Sequence, residues 1–471
     1  VDHLTGAFIY GTIPAEGEIM RVISRPAAGD MIRRLLLAWL LTGAIQYTCL
    51  PAPERVLSGF SALTGQSFPL LLVGTAACFA LLTLAGLLWR TARWERAALL
   101  LCFGWQLVLG LCASWSVPLL CAGLVVLALL LVYAAYGART DAESLTAAPA
   151  CTGRRAGLVI AAAAAAVFLV AVLALTVFRV LSYAAPTYDF GIFSQMFHSM
   201  RTTGLPVTTC ERDRVLSHFA VHVSPIYYLF LPFYALFPSP VTLEVLQALL
   251  LASAVIPLWR IARRHGLSGV TAGLLCALLL LWPAYAGGTS YDVHENKFLT
   301  PLLLWLFDFL DRRCVWGVAL FSVLTCMVKE DAPVYVAVIA LWVVLRALTR
   351  TGAERRWGLL TGGAMLVGAV GYFLGVTAWL AADGDGVMSY RYSNFLYDGS
   401  DSLFTVIKAV LLSPVRTLWE CFKGEKIAFF FLTMGPLLFL PLCTRRYERL
   451  VLLIPFLLVN LMSDYTYQHS I

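Results

Sequence analysis

From residue 31 onward the chain repeats apolar runs, many of about 17–25 residues, long enough to cross the roughly 30 Å hydrocarbon core of a bilayer as helices. No other feature restricts the fold so tightly. With 60% hydrophobic and 13% charged residues and a mean hydropathy of +0.81, the composition lies outside the range of soluble domains. The predicted fold class is all-α, a polytopic integral membrane protein. Its expected spans are 31–50, 68–89, 97–115, 117–136, 156–183, 241–259, 268–286, 298–310, 314–328, 332–348, 358–381, 427–443 and 449–463, thirteen in all and several of them short.

Hydropathy alone would add 224–238 as another span. Charge argues against it. With that segment left out, twenty-two of the 34 basic residues fall in alternate loops, from Arg21 and Arg25, through Arg260, Arg263 and Arg264, to Arg445, Arg446 and Arg449. The positive-inside rule makes that face cytoplasmic. Counting 224–238 as a span would invert every later loop, so it is expected to lie in the outer interface as an aromatic juxtamembrane helix with Pro232 inside it. The expected location is the plasma membrane, multi-pass, with the N-terminus cytoplasmic. The net charge of +7 then orients the protein, so membrane lipids are the expected partners and nucleic acid is not.

Four blocks follow. Residues 1–30 are polar. Residues 31–136 form a four-helix membrane block of two hairpins with no internal charge, 137–155 a cytoplasmic linker, and 156–471 the membrane core. Met31-Ile32-Arg33-Arg34 resembles a natural membrane-protein start, and the chain stops just past an apolar run, so it reads as a fragment truncated at its C-terminus. The first apolar run is expected to stay as a signal anchor. The twelve cysteines form no CxxC pair; Cys210 and Cys421 lie in polar loops, and sequence cannot fix their connectivity.

Ionisable residues gather where apolar runs end. Asp189 follows the run 156–183 and opens an amphipathic stretch, with Pro186 expected to stop the helix before it. Two readings stand: a helix N-cap, and a carboxylate for catalysis or substrate binding, with Gln195 facing the same water or substrate. His218 and His222 stand at i and i+4, suited to substrate contact or a metal; no third ligand follows locally, so hydrogen bonds to loop carbonyls are the alternative. Asp292, His294 and Glu295 crowd a turn between two spans. Lys329, Glu330 and Asp331 occupy a tighter turn near the low-dielectric boundary, where ions need partners; a Lys–acid pair compensated within the turn is the structural alternative. Arg179, near the outer end of its helix, is expected to pair with one of these acids.

The stretches YDFGIFSQ, SHFAVHVSPIYYLFLPFYALFPSPVTLEVLQALLLA, VHENKFLTPLLLW and VKEDAPVYVAVIALW resemble a family of polytopic predicted membrane proteins of bacteria and archaea, domain of unknown function 2079, over residues 156–471. That family is in turn similar to the GT-C superfamily of membrane glycosyltransferases. The resemblance implies a GT-C-like core with juxtamembrane helices in the first outer loop, Asp189 at the acidic position of that loop, and a lipid-linked sugar as donor. The single Asp189 departs from the paired acidic motif of some GT-C members.

The leading expectation is therefore a glycosyltransferase that takes a sugar from a polyprenyl-phosphate donor to an unspecified acceptor on the extracytoplasmic side. Asp189 would be the catalytic base. Arg179, Gln195, His218, His222, Asp292, His294, Glu295, Lys329, Glu330 and Asp331 would bind substrate, with Lys329 or Arg179 meeting the departing phosphate. A divalent metal is a candidate cofactor, without a ligand set legible in the sequence. A transporter or lipid flippase predicts ionisable groups near the bilayer midplane; here they cluster at span ends. A non-catalytic envelope assembly protein is the third expectation.

Overall fold

The computed structural model describes residues 27–89, 91–138, 153–185, 187–386 and 389–469. The polar segment before residue 27, most of the 137–155 linker and Pro186 lie outside the described residues. The described residues are mostly helical. The one sheet among the described residues is a two-stranded antiparallel ribbon, Val207–Thr208 with Leu216–Ser217.

Several helices start at a serine just ahead of a proline. The hydroxyls of Ser67, Ser116 and Ser239 accept first-turn N–H groups of Phe68–Leu88, Val117–Tyr136 and Pro240–Ser253, each with proline at its first or second position. Serine satisfies a donor that the helix leaves open, and proline there has no donor to lose.

Among the described residues, six helices are long and apolar enough to cross a membrane: Phe68–Leu88, Ala92–Ala113, Val117–Tyr136, Arg154–Leu181, Pro240–Arg264 and Gly352–Asp383. Gly269–Leu281 with Pro283–Ser290, bent by 49°, makes a seventh if the pair is one span. The other expected spans take different forms. Ala28–Cys49 is long enough but carries Asp30, Arg33 and Arg34 in its first turns. Leu299–Asp311, Val315–Cys326 and Pro333–Leu348 have 13, 12 and 16 residues, hence lengths of about 20, 18 and 24 Å. Lys426–Met434 ends before Leu438 and Phe439, both in the left-handed backbone region. The segment 447–461 is 3-10 and π turns. Pro225–Leu229 and Leu231–Leu236 are likewise too short to span; Tyr227 and Tyr234 are buried while Phe233 and Leu236 are exposed.

Two glycine pairs set a close helix crossing. Gly153 and Gly157 face Gly269 and Gly273 across the starts of Arg154–Leu181 and Gly269–Leu281. A Cβ on Gly157 would stand 1.8 Å from the Gly269 carbonyl oxygen, and one on Gly273 2.4 Å from that of Gly157. Small residues four apart let two backbones touch, the usual means by which membrane helices associate closely.

The N-terminal block differs from the expected charge-free hairpins. Arg33 and Arg34 are buried inside Ala28–Cys49, where their Nε atoms donate to Glu95 at 2.7 and 2.8 Å. A charge here is tolerated because two arginines and Thr91 share the one carboxylate. The block docks on the C-terminal third through Trp39 Nε1, which donates to the Leu411 carbonyl at 2.8 Å, and Arg416 Nε, which donates to that of Gly59 at 3.1 Å. Cys210 and Cys421 are free thiols.

Candidate functional site

The helix Tyr188–Thr203 runs beside the 207–217 ribbon and packs Phe193, Met196, Phe197 and Met200 into a core with Tyr227, Tyr234, Val293 and Phe298. That core brings four distant stretches together: the helix start, the 218–222 histidines, the 291–297 turn and the 329–331 turn. Phe193 is the shared wall, its ring centroid 5.4 Å from His218, 5.2 Å from Tyr227 and 5.8 Å from His294.

Asp189 lies in the first turn of its helix but is not the cap; the N-cap position is Thr187. The hydroxyl of Tyr291 donates to Asp189 Oδ2 at 2.6 Å. Burial and then the neighbouring Asp189 carboxylate push the Tyr291 phenol up. The helix start is held instead by Asp292, whose Oδ2 accepts from the backbone N–H of Thr187 at 3.3 Å and from its hydroxyl.

Glu295 is the centre of the cluster and is fully buried. Its Oε1 is 3.0 Å from Lys329 Nζ and its Oε2 accepts from Tyr227 Oη at 2.7 Å. Burial opposes both charges, yet the neighbouring charges win: His294 and then Lys329 hold Glu295 well below the usual carboxylate range, and Glu295 with Glu330 and Asp331 raises Lys329. His294 goes the other way; burial, with Lys329 nearby, lowers it to about 4, so it is neutral at pH 7. His222 Nδ1 is 2.9 Å from Glu330 Oε1, while Glu330 Oε2 accepts from Val223 N at 3.2 Å. His218 Nδ1 is 2.9 Å from Glu211 Oε2. The two histidines thus face separate carboxylates, and no group of three or more metal-ligating side chains occurs among the described residues.

Asp331 and Arg391 stand out by what they leave unused. Among the described residues the Asp331 carboxyl accepts no hydrogen bond; burial and the adjacent Glu330 raise it to about 6, against the opposing charges of Lys329 and Arg391. The Arg391 guanidinium stacks 5.0 Å above the Tyr465 ring, and its buried Nε has no acceptor.

Other expected site residues serve the scaffold. Gln195 Oε1 accepts from Thr209 N at 2.8 Å and its Nε2 donates to Thr209 Oγ1 at 2.8 Å, pinning the ribbon. Arg179 donates to the Ser290 carbonyl rather than pairing with an acid. Behind the 292–295 turn, buried Glu244 and Gln247 accept the N–H groups of Val293 and His294 at 2.8 and 3.0 Å. Sequence reasoning passed over these two, although polar residues at i and i+3 inside an apolar run are a usable signal. Tyr227, Glu211 and Arg391 were missed because only tertiary contacts make them relevant.

A family model described as a predicted membrane protein, DUF2079, matches residues 179–471. The chain belongs to the DUF2079 family. Nothing matched among the curated proteins or the solved structures. The DUF2079 region begins at Arg179 and holds every residue of the cluster; the N-terminal block precedes it.

Proposed function

We propose that this DUF2079 protein is a membrane glycosyltransferase with a GT-C-like core that moves a sugar from a polyprenyl-phosphate donor to an acceptor outside the cytoplasm. The observation behind this reading is Asp189. It sits half-buried in the first turn of a helix flanking the membrane segments, and among the described residues Tyr291 Oη is its sole side-chain donor. A carboxylate held in place by one phenol, beside a rigid buried ion network, is suited to take a proton. In the thirteen-span topology with a cytoplasmic N-terminus, the arginine-rich loops lie at the opposite end from the cluster, which supports an extracytoplasmic site.

In the proposed step, the acceptor hydroxyl oxygen attacks the anomeric carbon and the bond to the donor phosphate breaks. The hydroxyl proton passes to Asp189, leaving a glycosylated acceptor and a polyprenyl phosphate. Lys329 is committed to Glu295, so Arg391 is the better cation for the departing phosphate. The exposed Phe233 and Leu236 offer a surface to the polyprenyl chain.

The test is turnover of a polyprenyl-phosphate sugar by purified protein in nanodiscs. Asp189→Asn should fold normally and lose a factor of about 10²–10⁴. An Asn variant as active as wild type removes Asp189 from the mechanism. Wild-type protein inert toward every lipid-linked sugar, with envelope glycans unchanged when the gene is lost, would sink the transferase reading.

A further inference from the structure

The segment Ser389–Phe395 is tied down on two sides. The Arg391 carbonyl accepts from Asp464 N at 2.7 Å and from Ser463 Oγ at 3.3 Å. Three residues on, Asn394 Nδ2 donates to Glu420 Oε2 at 2.8 Å and to the Met462 carbonyl at 3.2 Å. Arg391 therefore stands on a fixed backbone, and its guanidinium rests 5.0 Å from the centroid of the Tyr465 ring.

This placement brings Arg391 near Asp331 without joining the two. Each lies within reach of the other's charge. Yet among the described residues neither side chain makes an ion pair or a hydrogen bond, and the buried Arg391 Nε has no acceptor. Tyr335, in the first turn of Pro333–Leu348, and Tyr392 stand beside the same carboxylate, and their hydroxyls too lack a partner among the described residues. All four side chains are half-buried, so the gap between them is sheltered but open. Next to them, Lys329 and Glu295 close to 3.0 Å. A carboxylate that only accepts and a guanidinium that only donates, left apart among tyrosine rings, match a bound molecule better than each other.

We propose that Asp331 and Arg391 form the subsite for the glycosyl phosphate of the donor. Arg391 takes the phosphate oxygens, Asp331 accepts a hydroxyl of the sugar, and a tyrosine ring covers the C–H face. The inference rests on the transferase reading and adds the substrate class: a hydroxylated sugar without an acid group. A carboxylate can only accept, so the sugar must bring a donor to it. A uronic acid would set a second carboxylate against Asp331, where like charges repel. Bare polyprenyl phosphate would satisfy Arg391 and leave Asp331 and the tyrosines unused.

The experiment measures binding to the full chain in nanodiscs, with no acceptor present. The probes are polyprenyl phosphates carrying glucose, mannose or galactose, the matching uronic acids, and bare polyprenyl phosphate. At least one hexosyl lipid should bind about tenfold tighter than the bare lipid, and its uronosyl counterpart should not. Asp331→Asn should shrink both differences and leave the bare lipid unchanged. Arg391→Gln should weaken hexosyl and bare lipids alike. The subsite is overturned if no hexosyl lipid binds tighter than the bare one, if Asp331→Asn leaves both differences intact, or if it weakens the bare lipid as much as the hexosyl one. Protein that holds a hexosyl lipid through Asp331 but transfers nothing keeps the subsite and sinks the transferase. Turnover with an unchanged donor KM in Asp331→Asn does the reverse.

Discussion

Lys329 Nζ lies 3.0 Å from Glu295 Oε1, and neither side chain reaches water. The pair ties the turn after Val315–Cys326 to the turn before Leu299–Asp311. Removing one partner should therefore do more harm than removing both.

Lys329→Met leaves Glu295 as a buried charge without its cation and should cost about 3–5 kcal/mol. Adding Glu295→Gln should recover most of that. Heat denaturation in detergent checks both, and equal stability of the single and double variants would contradict the pairing. The pH dependence follows from the signs. Glu295 is depressed below its ordinary 4.5, so its contribution is present above that value and lost as pH falls through the folded pKa. Lys329 is raised above 10.5, so its contribution is present below that value and lost as pH rises through the folded one. Between about pH 5 and 9 this pair should contribute a constant stability.

Asp189 and Asp292 are expected to separate function from folding. Asp292→Ala removes the acceptor that holds the Thr187 N–H and should cost about 1–3 kcal/mol. Asp189→Asn keeps the Tyr291 contact and caps nothing, so its stability change should stay within about 0.5 kcal/mol. Melting curves of the two variants side by side decide the matter; a larger loss for Asp189→Asn would reverse the roles.

Asp331 should make the protein less stable as pH rises. Its folded pKa of about 6 lies above the ordinary 3.8, so the folded state binds a proton more tightly than the unfolded one. That stabilisation is present below 3.8 and lost on passing up to about 6. Asp331→Asn should then melt higher than wild type at pH 7.5, by up to about 2 kcal/mol after allowance for solvent screening. At pH 3.5 the two should coincide. A lower melting point for the variant at pH 7.5 would mean that ionised Asp331 has a partner in the fold.

The proposed topology predicts opposite exposure of the two ends. In a cysteine-free background, Thr209→Cys should react with an impermeant maleimide added outside intact cells. Arg355→Cys should react only after the membrane is opened. Both positions are exposed, so accessibility alone does not bias the result. Labelling of both from outside would put the cluster and the arginine-rich loops on one side and remove the extracytoplasmic site.

The membrane class and the meeting of the charged turns were legible because charge at the end of an apolar run is costly unless it has partners. Asp292, Glu295, Lys329 and Glu330 advertised themselves in that way. What could not be read was which partner each would take. Lys329 is as suited to a phosphate as to Glu295, and only the depth of the fold selects the carboxylate. Gln195 and Arg179 were expected to face a substrate, yet backbone and hydroxyl groups of the neighbouring ribbon and turn occupy them. Hydropathy counted 427–443 and 449–463 as helices because it is blind to backbone conformation; Leu438 and Phe439 are as apolar in a left-handed turn as in a span. The Gly153/Gly157 and Gly269/Gly273 pairs were in plain view, but their meaning lies in a crossing of two helices far apart in the chain.

The short helices carry a consequence for the surrounding lipid. At about 18–24 Å, Leu299–Asp311, Val315–Cys326 and Pro333–Leu348 fall short of a roughly 30 Å hydrocarbon core. If these three cross the membrane, the two leaflets must draw together along that flank, at a cost of fractions of a kcal/mol per Å of mismatch. Thin bilayers would then suit the protein better than thick ones. The dimple would also lower the headgroups of passing lipids toward the cluster, so that a lipid-borne substrate meets its site by lateral diffusion rather than by leaving the membrane.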